Sequence, residues 1–120
     1  MLHQVLISLA SNCNQTKNLQ EAQQRLSQVF YSCHFTEAIW TKPVGNTTSK
    51  SLYLNQLLRA ETEMNLLELN AWLKQQEQEM GRTAEKRKVG IVSIDIDLLQ
   101  YDNERYHLRD WERDYIKRLL

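Results

Sequence analysis

The sequence predicts an α+β domain: an antiparallel sheet in the order β-α-β-β-α-β, helices packed on one face, and one more helix at the C-terminus. Three observations carry this. The run Ile91-Val92-Ser93-Ile94-Asp95-Ile96-Asp97-Leu98-Leu99 alternates polar and apolar residues, the period of a half-buried strand. Two other segments repeat apolar residues at helical spacing. Only three Gly and one Pro occur in 120 residues, which favours long regular elements over loops.

Val5 to Leu9 reads as a short apolar strand that ends in Ala10-Ser11-Asn12. A helix follows from about Thr16 to Tyr31, with Leu19, Ala22, Leu26, Val29 and Phe30 on one face. Phe35 to Thr41, rich in aromatic and branched residues, reads as the second strand. Lys42 to Ser51 holds Pro43, Gly45, Asn46 and several Ser and Thr, a clear loop. Leu52 to Glu63 reads as a strand of mixed periodicity. The second helix runs from Leu66 to about Met80, with Asn65 as N-cap, Glu68 as its capping-box partner and Gly81 as the stop. Leu66, Leu69, Leu73 and Met80 form its stripe. Arg82 to Gly90 is a polar, cationic connection into the carboxylate strand. Asp110 to Leu120 reads as a helix capped by Asp110, with Trp111, Tyr115 and Leu119 on one face.

This order is the split βαβ, or ferredoxin-like, pattern, in which the first and last strands form the central pair. Ser11-Asn12 is then expected near one end of the carboxylate strand.

Length bounds the chain to one domain, residues 1–120. Hydrophobic residues make up 42% and charged residues 25%, ordinary globular usage. Fifteen Lys+Arg balance fifteen Asp+Glu, which argues against general affinity for nucleic acid. An RNA-binding domain on a similar fold is disfavoured further, because no strand carries glycine-flanked aromatic pairs. Cys13 and Cys33 have no metal-type spacing and read as free thiols of a reducing compartment, with a single disulfide as the lesser alternative. Met1 to Ala10 shows neither a signal peptide nor a membrane span, so a cytoplasmic protein is expected, a monomer or weak dimer.

The carboxylate strand places Ser93, Asp95 and Asp97 on one face and Val92, Ile94, Ile96 and Leu98 on the other. Carboxylates at i and i+2 lie roughly 7 Å apart along a strand and can converge on a divalent cation or bracket a pair. With the cationic stretch upstream, that suits polyphosphate chemistry. The same alternation also describes a plain half-buried strand with a solvated face.

Several ordered motifs resemble the 6-hydroxymethyl-7,8-dihydropterin pyrophosphokinases of folate biosynthesis. Leu9-Ala10-Ser11-Asn12 resembles the family's Gly-Ser-Asn, with Ala10 in place of glycine. Thr41-Lys42-Pro43-Val44-Gly45 resembles the loop that walls the pterin pocket, and Tyr53-Leu54-Asn55 the aromatic-Leu-Asn segment. Met80-Gly81-Arg82 resembles the Gly-Arg that opens the ATP loop, and Asp95-Ile96-Asp97 the Asp-hydrophobic-Asp metal site. The resemblance departs where nucleotide should bind. Ala84 stands at the place of a second Arg, and Val89-Gly90-Ile91-Val92 stands where the family has Trp-Gly-Pro-Arg. Near the C-terminus, Arg113-Asp114-Tyr115 stands for Arg-x-Phe, Asp110 falls near an expected His, and His107 is off register.

The resemblance implies transfer of diphosphate from ATP to a pterin alcohol with two Mg²⁺ ions. Asp95 and Asp97 would hold the metals and, with Arg82, form the catalytic set. Thr41, Pro43, Val44, Tyr53, Asn55 and Tyr115 would bind the pterin. Glu77, Arg82, Lys86, Arg87, Lys88 and Arg113 would face the nucleotide. Partners would be small molecules, with neither nucleic acid nor membrane. The competing reading is a diverged paralogue that keeps the pterin pocket or the metal pair but has weak or no kinase activity and acts as a pterin- or nucleotide-binding or interaction module.

Overall fold

A computed structural model describes residues 1–43 and 51–120. Its elements are β1 (His3–Ser11), α1 (Gln15–Val29), β2 (Tyr31–Phe35), β3 (Ile39–Thr41), β4 (Tyr53–Thr62), α2 (Leu66–Glu79), α3 (Ala84–Lys88), β5 (Asp95–Tyr101), β6 (Glu104–Arg105), a 3₁₀ turn (Asp110–Glu112) and α4 (Asp114–Leu119). The strands form one antiparallel sheet in the order β2-β4-β1-β5-β6, and β3 also pairs with β4. The first strand and the carboxylate strand are central neighbours, as the sequence predicts.

Alternation along β1 divides the protein into two cores. Val5, Ile7 and Leu9 are buried with Leu19, Ala22 and Leu26 of α1 and Leu69 and Leu73 of α2. Ile96 and Leu98 of β5 join them there. On the opposite face Leu6, Leu57, Leu99 and Ile116 form a smaller cluster under Trp111, Tyr115 and Leu119. The C-terminal segment therefore covers the second face of the sheet, at one end only. The rest of that face is the floor of a cavity.

Four elements differ from the sequence reading. The first helix stops at Val29, and Tyr31 opens β2 instead of closing α1. The strand expected over Phe35 to Thr41 is two strands on one edge of β4. Thr36 separates them: its N–H donates to the Leu57 carbonyl at 2.9 Å, its hydroxyl accepts from the Leu57 N–H at 3.0 Å, and Gln56 caps its carbonyl at 2.7 Å. The chain leaves the ladder there and re-pairs from Ile39. The carboxylate strand begins at Asp95, not Ile91, because Asn12 claims the backbone before it. Asn12 Nδ2 donates to the Gly90 carbonyl at 2.7 Å, and Asn12 Oδ1 accepts from the Val92 N–H at 2.7 Å. The C-terminal helix is broken at Arg113, whose extended backbone separates the 3₁₀ turn from α4, so Asp110 does not cap it.

The second helix follows its expectation closely. Asn65 Oδ1 accepts from the Glu68 N–H at 2.8 Å, and Glu68 Oε1 accepts from the Asn65 N–H at 3.2 Å, a complete capping box. Gly81 ends it at φ +93°, where a Cβ would lie 3.2 Å from Lys86 Nζ. The connection after it contains one helical turn, α3, whose N-cap Thr83 accepts from the Lys86 N–H at 3.2 Å.

Candidate functional site

The sheet register builds the site. Ala10 of β1 lies opposite Asn55 of β4 on one side and Asp95 of β5 on the other. One step along, Ser8 lies between Leu57 and Asp97. Directly opposed residues project from the same face. Two small side chains thus floor a trough with an amide on one bank and two carboxylates on the other. Position 10 needs a small side chain for this reason, and alanine keeps the trough open.

That trough is a cavity of about 220 Å³. Thr41, Pro43, Tyr53 and Asn55 line one wall, Asp95 and Asp97 the other, and Asp110, Arg113 and Tyr115 close it from the C-terminal segment. Asn55 is buried, and its Nδ2 donates to the Ile39 carbonyl at 3.0 Å and to Thr41 Oγ1 at 2.8 Å. These bonds fix the amide plane and tie β3 to β4. Burial, then the Asp95 charge, raises the Tyr53 phenol above its ordinary value, and burial raises that of Tyr115, so both rings stay neutral.

On the far side of β5, α2 brings in a third carboxylate. Glu77 Oε2 accepts the Ile96 N–H at 2.7 Å, between the two aspartates, and an Arg82 N–H at 3.0 Å. Arg82 also donates to Asp95 Oδ1 at 2.8 Å. One oxygen from each of Glu77, Asp95 and Asp97 lies within 4.8 Å of the others. Burial, then the charges of Asp95 and Glu77, pushes the Asp97 carboxyl up to about 7. Burial also raises Glu77. Arg82 is held above its usual value by its hydrogen bond to Asp95, although burial opposes its charge. Three oxygen donors and one cation leave excess negative charge. The donor chemistry fits a hard divalent cation such as Mg²⁺.

Two further cavities open from this cluster. One, about 230 Å³, is lined by Asp95, Asp97, Glu77, Lys74 and His107 among others, with His107 Nε2 3.9 Å from Asp97 Oδ1. The other, about 300 Å³, is lined by Lys74, Glu77, Gln78, Arg82, Thr83, Ala84 and Arg87.

The residues singled out in the sequence fall into these places. Thr41, Pro43, Tyr53, Asn55, Asp95, Asp97 and Tyr115 share the first cavity. Arg113, expected toward the nucleotide, lines that same cavity, with its guanidinium 5.3 Å from the Tyr115 ring centre. Glu77 stands with the aspartates as a third potential ligand. Arg87 lines the 300 Å³ cavity, while Lys86 and Lys88 line none of the three. Val44 lies outside the described residues. Sequence reasoning missed Ser8 as floor and Lys74 as a cation on the site. Lys74 sits three residues before Glu77, the helical spacing that would have paired them on one face.

On the open face of the sheet an aromatic-amide trough thus meets a cluster of three carboxylates. A family profile described as 7,8-dihydro-6-hydroxymethylpterin-pyrophosphokinase matches residues 6–120, and the chain belongs to that family. A folate synthesis bifunctional protein of Arabidopsis thaliana is 30% identical over 94% of this chain and 25% of its own length. A mitochondrial folate synthesis bifunctional protein of Pisum sativum is 31% identical over 94% of this chain and 24% of its own length. The chain thus spans about a quarter of the length of the curated relatives it matches. Among the described residues, no helix is long and apolar enough to cross a membrane.

Proposed function

We propose that residues 1–120 act as one pterin pyrophosphokinase domain, transferring diphosphate from ATP to 6-hydroxymethyl-7,8-dihydropterin with Mg²⁺. The observation that carries this is the shared position of Asp95 and Asp97. They line both the trough that holds Tyr53 and Asn55 and the cavity that leads to Arg82 and Lys74. A flat heterocycle with polar edges suits the first space, and a polyphosphate suits the second.

In this reading the pterin lies between Tyr53 and Tyr115, and Asn55 pairs with its polar edge. Its hydroxymethyl oxygen points toward Asp95 and Asp97. That oxygen forms a bond to the β-phosphorus of ATP. The bond from the β-phosphorus to the α,β-bridging oxygen breaks, AMP leaves with the electron pair, and the hydroxyl proton goes to solvent. Glu77, Asp95 and Asp97 would hold Mg²⁺, which when bound neutralises phosphate oxygens and the developing charge. Arg82, fixed by Glu77 and Asp95, presents its remaining N–H groups to phosphate. Positioning and electrostatics supply the acceleration, so a dedicated general base is not required.

One observation favours the paralogue reading. The Arg82 Nη1 is engaged by two carboxylates, and Ala84 stands at the place where the family has a second arginine. The deciding experiment incubates the protein with ATP, Mg²⁺ and the pterin alcohol and follows AMP and pterin diphosphate by chromatography. Metal-dependent formation of both products supports the kinase. Intact pterin binding without product at saturating ATP decides for the paralogue.

A further inference from the structure

We propose that Lys74 is a further cation that binds the polyphosphate of the nucleotide in this chain, together with Arg87, which lines the same cavity. The proposal rests on the reading of the site given above and adds a residue that no sequence motif marks.

Glu77, Asp95 and Asp97 surround a single guanidinium, and Arg82 already bonds two of them. A polyanion entering beside this cluster needs cations that the carboxylates have not consumed. Lys74 and Arg87 are the candidates lining the cavities that meet there. Neither has an ion pair or hydrogen bond from its side chain among the described residues.

Position then separates Lys74 from the rest. Like Arg82, and unlike Arg87, it lines both the 300 Å³ cavity and the 230 Å³ cavity that holds Asp95 and Asp97, and unlike Arg82 it is not engaged by those carboxylates. A phosphate chain running from the carboxylates into the outer cavity passes it. Ala84 lines the same 300 Å³ cavity, and its short side chain takes up little of that space. Val92 cannot take this part. Its side chain carries no charge. Lys74 is exposed on α2, so its replacement removes charge and little packing.

The test measures binding of a non-hydrolysable ATP analogue and of AMP, each with Mg²⁺, by calorimetry on wild type, Lys74→Gln and Lys74→Arg. Loss of one charge-assisted contact is expected to weaken the analogue about 10- to 100-fold in Lys74→Gln. Lys74→Arg should recover most of that affinity. AMP, which lacks the β- and γ-phosphates, should bind all three proteins alike, and their melting temperatures should agree. Equal analogue affinity in wild type and Lys74→Gln overturns the role of Lys74 and leaves the pyrophosphokinase reading standing. Equal loss for AMP and analogue overturns the assignment to the polyphosphate. Wild type that binds no analogue overturns both.

Discussion

Glu77 accepts the backbone N–H of Ile96 at 2.7 Å, so a helix carboxylate completes the hydrogen bonding of β5 between its two aspartates. That N–H lies on the edge of β5 away from β1, and β6 pairs only with Gln100 and Tyr101. One bond thus satisfies a strand edge and holds a third carboxylate at 4.8 Å or less from Asp95 and Asp97.

Glu77→Ala should leave the Ile96 N–H and the Arg82 guanidinium short of an acceptor. We expect a loss of about 1–3 kcal/mol by urea denaturation. Glu77→Gln, which keeps a carbonyl oxygen for Ile96, should lose less while binding Mg²⁺ more weakly. Equal stability of Glu77→Ala and wild type would show that the bond is not structural.

Stability without divalent cations should fall as pH rises through the neutral range. Asp97 titrates at about 7 in the folded protein, against about 3.9 in an unfolded chain. The unfolded chain therefore loses this proton first. The contribution is fully present below about pH 4 and is lost as pH passes the folded value, at up to about 1.4 kcal/mol per pH unit. Glu77 is raised and acts in the same direction. Melting curves from pH 5 to 8 should show the decline, and Asp97→Asn should flatten it.

The same carboxylate should trade stability for function. Asp97→Asn is expected to melt higher than wild type at pH 8, because a buried charge beside two others is gone. It should also lose Mg²⁺-dependent binding of an ATP analogue. Full analogue affinity in this variant would make Asp97 structural only.

Asn55→Ala should separate the two substrates. The amide is buried and joins β3 to β4 through Ile39 and Thr41. We expect pterin affinity to fall more than about tenfold and stability by about 1–3 kcal/mol, with the ATP analogue bound as before. A matching loss for both ligands would point to collapse of the sheet edge instead.

Within the cationic connection, position should decide. Arg87→Glu should lower turnover by orders of magnitude, since contacts that strengthen as charge develops in transfer matter most. Lys86→Glu and Lys88→Glu, which line none of the three cavities, should stay within a few-fold of wild type. Equal effects at all three positions would indicate a diffuse electrostatic field.

The sequence by itself determined what repeats along one element. The order of strands and helices, the Asn65–Glu68 box, the Gly81 stop and the shared face of Asp95 and Asp97 are all local, set by backbone period and capping chemistry. Tertiary structure decided what one element meets. Periodicity shows which way Glu77 and Lys74 face on α2 but not that α2 crosses beside β5. No local signal breaks the edge strand at Thr36, because Leu57 and Gln56, which donate hydrogen bonds to its hydroxyl and carbonyl, are 21 and 20 residues away. Ile116 is fully buried on the second face of the sheet. Its helical pattern could not reveal that, because both faces of a central strand can be covered and only packing chooses which residue covers each.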